Sequence, residues 1–219
     1  MKPIQNAGGH VGLTARSYPI AYNADISEGE VVKLSAGLVV AAAANETGAI
    51  LGIAAENHPG TADALNPRAN GTEILVYDNP ELIFECPAPT FKASGGSATT
   101  VTAATSQVAC TTADAFNGGY LVSPAGKKRA ITDFANASTT DTFTVPSGET
   151  AANNDVYTLY PPVGSKGNWR LDSSTLSKIV LNAVGATAIK VVGHDFERGM
   201  VRLMAYFHSL ASQETDATE

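Results

Sequence analysis

Charge is scarce in this sequence. Of its 219 residues, 16% are Asp, Glu, Lys or Arg, against ~25% in an ordinary globular chain. Surface helices are normally rich in Glu, Lys and Arg, so a helical enzyme fits this composition poorly. Cysteine is nearly absent. Cys86 and Cys110 are the only two, too few for a disulfide framework. Both end apolar strand patterns and read as buried small hydrophobes kept as thiols. No apolar run approaches the ~20 residues of a membrane-spanning helix; the longest, Leu38 to Ala44, is of strand length. The first residues, Met1 to Asn6, carry no apolar signal core, so folding in a cytoplasm without a membrane partner is expected. Basic residues are outnumbered 14 to 21, a net charge of −7. That balance disfavours direct binding to a nucleic-acid backbone.

The usual chemistry-bearing motifs are also missing. The histidines are His10, His58, His194 and His208, and no two stand at metal-ligand spacing. His194 and Asp195 are neighbours, so in extended chain their side chains diverge. Gly8-Gly9-His10-Val11-Gly12 and Gly48 to Gly52 are glycine-rich, but neither has the spacing or the lysine of a phosphate loop. Gly52 reads instead as a bulge or a point of tight curvature within a strand. Asp25, Glu28 and Glu30 form an acidic turn rather than a carboxylate pair across a cleft. Asn153-Asn154-Asp155 lacks the spaced carboxylates of a calcium loop. No serine lies in a nucleophile elbow. The expectation is a protein without catalytic residues, bound metal or cofactor.

What is present is a succession of short strands punctuated by turns. Glu30-Val-Val-Lys-Leu34, Leu38 to Ala43, Ala49 to Ala55, Thr72 to Tyr77 and Leu82 to Cys86 follow one another at close spacing, the pattern of a small barrel or sandwich. Pro87 and Pro89 end that series. Residues 93–165 form a second, more polar β unit, with Phe143 and Val145 alternating with Thr142 and Thr144. Leu176, Ile179, Val180 and Ala183 follow helical spacing, with Asp172 or Ser173 as N-cap and Gly185 as stop. Ala188 to Val192 and Met200 to His208 read as strands. The expected fold is mainly β: an arm or edge segment at 1–26, a small β-barrel at 27–92, the second β unit at 93–165, a segment at 166–211 holding one short helix, and an acidic tail at 212–219.

Two clusters suggest contact surfaces. Lys127-Lys128-Arg129 follows the turn Pro124-Ala125-Gly126 and reads as a solvated hairpin end, or as a contact for an acidic partner. Trp169 and Arg170 are residue types enriched at subunit interfaces. Trp169 with Tyr157 and Tyr160 could alternatively form a sugar-stacking platform of an adhesion module.

The motifs Glu28-Gly-Glu-Val-Val-Lys-Leu34, Gly37-Leu-Val-Val40, Gly48-Ala-Ile-Leu-Gly-Ile-Ala-Ala55 and Gly71-Thr-Glu-Ile-Leu-Val-Tyr77 resemble the small β-barrel of tailed-phage capsid decoration (cement) proteins. They cover about a quarter of the chain. The resemblance implies a structural virion protein made in the host cytoplasm and bound to the outer capsid surface. Its partners would be the major capsid protein and further copies of itself, a trimer first among the oligomers. A head–tail or tail component is the neighbouring alternative. On this reading, removal of residues 1–20 should leave a folded barrel but weaken assembly, and sheet edges should serve as contacts.

Overall fold

The computed structural model describes residues 1–6, 14–22, 24–43, 49–60, 73–104, 108, 110, 112–137, 139–148, 150–165, 169–171, 179–181 and 189–205. Every regular element among them is a β-strand, and every strand pair is antiparallel.

Four strands of the first apolar series, with one from the N-terminal segment, build a five-stranded sheet. Its order is β2 (Ala15–Pro19), β6 (Glu73–Tyr77), β5 (Gly52–Ala54), β3 (Val31–Ser35), β4 (Leu38–Ala41). β3 and β4 are joined through Ala36 and Gly37, whose φ angles are 51° and 83°. Two positive φ values at the centre of a two-residue loop make a turn whose twist matches that of the flanking strands. Gly52 lies where β5 crosses close to β6. A Cβ there would stand 1.9 Å from the Tyr77 carbonyl oxygen, so only glycine permits the approach. The sheet curls until its edges touch at Ile20 and Val39, where the Ala21 N–H donates to the Val39 carbonyl at 3.0 Å. One bridge is not a ladder, so the expected small barrel is a curled open sheet. Ile20, Ile26, Val32, Val39, Leu51, Ala54, Ile74 and Val76 fill its hollow. Val31 and Ile53 face the other way, into the main core.

A seven-stranded array follows, ordered β11 (Lys128–Ala130), β10 (Tyr120–Val122), β14 (Val156–Tyr160), β8 (Thr90–Ser97), β9 (Thr100–Ala104), β13 (Thr140–Thr144), β12 (Asp133–Ala135). β8 serves both halves. Thr90 to Lys92 pair with β14, and from Ala93 onward the strand pairs with β9, with a register shift between Ala93 and Gly95. Such a bulge bends the strand and turns the array into two layers. At the opposite corner Ile131 and Thr132 carry the chain from β11 to β12. The Ile131 N–H donates to Gly119 at 2.8 Å and the Thr132 N–H to Thr144 at 2.9 Å. Both corners of this sandwich are therefore bonded within the chain. Aromatic rings fill the space between the layers: Phe143 stands 5.1 Å from Phe91, 4.9 Å from Phe134 and 5.6 Å from Phe116.

A four-stranded sheet joins distant parts of the chain: β1 (Lys2–Asn6), β7 (Leu82–Pro87), β18 (Met200–Ala205) and β17 (Ile189–Asp195). β7, read with the first β unit, pairs directly with β18 of the last segment, and Cys86 is buried between them. Val201 and Leu203 turn into the same core, as their alternation predicts. β15 (Trp169–Leu171) and β16 (Ile179–Leu181) form a separate pair.

Two expectations are corrected. Ile179 and Val180 lie in a strand, not in the short helix their spacing suggested; Leu176 and Ala183 lie outside the described residues. A short run of β-branched and aliphatic residues satisfies either period, and pairing with β15 selects the extended form. The described residues 1–6 and 14–20 hold the edge strands β1 and β2 rather than a free arm. β1 and β2 complete two sheets of their own chain, and Ile20 is 1% exposed, so their removal would open two sheets and the aliphatic core.

Candidate functional site

The β10–β11 hairpin end carries the basic cluster. Ser123 to Lys127 form its turn: the Ser123 N–H donates to Lys127 at 3.0 Å, and the Gly126 N–H to Ser123 at 2.9 Å. Leu121 lies opposite Arg129, and Val122 opposite Lys128. Side chains alternate across a strand, so the three basic residues separate. Lys127 and Lys128 are exposed, whereas Arg129 is 8% exposed and lies against Gly148. The solvated hairpin end is correct for the lysines alone.

Tyr120 and Lys128 share the outer face of this hairpin. The turn between β17 and β18 brings Phe196 to them. The Lys128 ammonium stands 4.1 Å from the Phe196 ring centroid and 5.1 Å from that of Tyr120, within range of the attraction between a cation and a ring face. His194 fills the space behind. It meets Phe196 at 5.3 Å, Tyr160 at 5.5 Å and Tyr120 at 6.1 Å, all edge-on. Its Nε2 lies 2.6 Å from the Pro161 carbonyl oxygen. A carbonyl can only accept, so the neutral ring carries its proton on Nε2. Burial holds the His194 pKa below its ordinary value, the Lys128 charge acts the same way, and the Pro161 carbonyl opposes them. Burial and the Asp195 charge push the Tyr160 phenol up.

The same turn bears an ion network. Glu85, 1% exposed, accepts from Arg198 at 2.6 Å and from Arg202 at 3.1 Å. Asp195 approaches Arg202 at 3.5 Å and Arg198 at 3.8 Å. His194 and Asp195 do diverge, one into the aromatic group and the other onto the arginines.

Two further carboxylates are buried. Asp78 accepts from the Tyr18 hydroxyl, with Arg16 at 3.4 Å. Asp141 accepts from the Asn136 amide at 2.9 Å, while its Oδ2 meets no hydrogen-bond donor. The Asn136 amide also donates to the Cys110 carbonyl at 2.6 Å. These positions are framework rather than a convergent reaction centre. No group of three His, Cys, Asp or Glu side chains is placed to hold a metal ion among the described residues.

Trp169 and Arg170 lie on β15, opposite Leu181 and Val180; their side chains lie outside what is described. Tyr157 and Tyr160 are 1% and 2% exposed, so they cannot form a surface platform for sugars. Tyr120, His194, Phe196, Glu85, Arg198 and Arg202 had no signal as a group. The nearest hint was Asp195-Phe-Glu-Arg-Gly199, a polar turn between two alternating apolar runs. The family, curated-protein and solved-structure comparisons each gave no match for this chain.

Proposed function

We propose that this chain is a structural virion protein that binds the outer surface of a phage capsid and stabilises it. The observation that supports the reading is the folding of the segment that resembles decoration proteins. Glu28 to Tyr77 supply four of the five strands of the curled sheet and most of its aliphatic hollow, which Ile20 and Ile26 complete. A shell-stabilising role needs a rigid unit that presents side chains to a repeating surface. In the curled sheet and in the sandwich the chain meets or bonds its own strand edges. In these two units contact through side chains takes the place of the edge pairing expected from the strand pattern, which the outer strands β1 and β17 of the four-stranded sheet still offer. The partners are the major capsid protein and further copies of the chain.

The test is co-sedimentation of the purified protein with expanded, DNA-filled phage heads across a salt series. Saturable binding at a fixed number of copies per shell, retained at high salt, supports the reading. No binding by a soluble, monomeric protein overturns it and turns attention to a tail component or an adhesion module.

A further inference from the structure

The contact between the β17–β18 turn and the sandwich is made by side chains of unlike kind around one titratable ring. His194 comes from β17, Tyr120 from β10, Lys128 from β11, and Tyr160 with the Pro161 carbonyl from the end of β14. Phe196 closes the group from the turn itself, 4.6 Å from Tyr160 and 5.4 Å from Tyr120. We propose that His194 is an acid-sensitive latch, whose neutral ring fastens the β17–β18 turn to the sandwich and whose protonation loosens it.

The geometry gives three reasons. The neutral ring already spends its one N–H on Pro161, so a second proton on Nδ1 adds a charge to a half-buried aromatic setting. Lys128 already holds the faces of Phe196 and Tyr120, and two cations then compete for the same rings. The negative group nearest in sequence, Asp195, is engaged by Arg202 and Arg198. The other charged groups of the turn network, Glu85 and the two arginines, bond one another on the β7 side. Burial and Lys128 favour the neutral ring over the charged one. The sign follows: a base whose folded pKa is lowered supplies its stability above the ordinary imidazole value of 6.5, and that stability is lost as the pH falls below it.

The rest of β17 has independent ties. The Gly164 N–H donates to Val191 at 2.8 Å, and the Val191 N–H to Ser165 at 3.1 Å. Loosening should therefore be confined to the turn, with the strand pair intact. This inference does not depend on the capsid reading.

The experiment follows the His194 ring signal by NMR in the full chain, together with amide exchange of residues 195–199 corrected for its intrinsic pH dependence. The expected result is a His194 midpoint below the ordinary imidazole range, with turn amides exchanging severalfold faster beneath it. Lys128→Gln should move both midpoints upward together, since it removes the competing charge. His194→Gln, which keeps an N–H for Pro161 and cannot titrate, should abolish the pH step. A midpoint at or above the ordinary value overturns the latch, as does turn exchange that ignores the titration. Should His194→Gln fail to fold, the Lys128→Gln shift decides alone: a midpoint that does not move refutes the arrangement.

Discussion

The curled five-stranded sheet and the seven-stranded sandwich solve one problem with different materials. Each must bury one face while leaving few strand edges open. The buried residues of the curled sheet's hollow are Ile, Val, Leu and Ala, with a single half-buried ring, Tyr18, packed against them. The sandwich stacks Phe91, Phe116, Phe134, Phe143 and Tyr157 between its layers. A few strands curled tightly enclose little room for rings, whereas two layers ~10 Å apart take them from both sides. Closure differs too. The small sheet meets at one bridge, with Gly52 admitting the close crossing, while the sandwich is bonded at both corners through β8 and the Ile131–Thr132 link.

Three substitutions would test this contrast. The largest effect is expected at Phe143→Ala, which removes the ring shared by Phe91, Phe116 and Phe134. It should cost about 3–5 kcal/mol in urea unfolding, and a loss below about 1 kcal/mol would mean that the layers collapse to fill the gap. In the curled sheet the opposite change is informative. Val39→Phe adds volume at the closing bridge and should cost about 1–3 kcal/mol by overpacking. A neutral result would show that the hollow is wider than its lining implies.

The smallest effect concerns a polar flaw in the sandwich. Asp141 is fully buried, and burial raises its pKa while the Asn136 amide and the Ala137 N–H oppose the shift. The folded chain then takes up this proton at higher pH than the unfolded chain. The cost of the buried charge is fully present above the folded pKa and fades as the pH falls through it toward the unfolded value. Asp141→Asn should therefore stabilise the protein by about 1 kcal/mol at neutral pH, with a gain that shrinks in acid. Stability lost at neutral pH, measured by thermal unfolding across pH, would show that the charge is better solvated than its unpartnered Oδ2 implies.

The alternation of apolar residues and the turn residues between them made the β class legible. Ser35-Ala36-Gly37, Pro124-Ala125-Gly126 and Phe143 with Val145 are local signals, and the structure follows them. Gly52 was legible as a special point within a strand, read as a bulge or tight curvature; its close approach to the Tyr77 carbonyl was not. Ile179 and Val180 were not legible as strand, because so short an apolar run has no period of its own. Of the suggested contact residues, Lys127 and Lys128 keep the surface position read from the turn. Arg129 does not, because strand register turned it inward.

Local pattern was enough to specify short strands joined by turns, since side-chain alternation and turn residues act over a few residues. Which strands meet was settled by packing across the whole fold. Glu85 and Arg198 are separated by 113 residues along the chain, and Lys128 reaches Phe196 from another sheet. Such partners are chosen by the free energy of the whole packed core, where a buried carboxylate must find its arginines and a half-buried histidine its carbonyl. No local pattern encodes that choice.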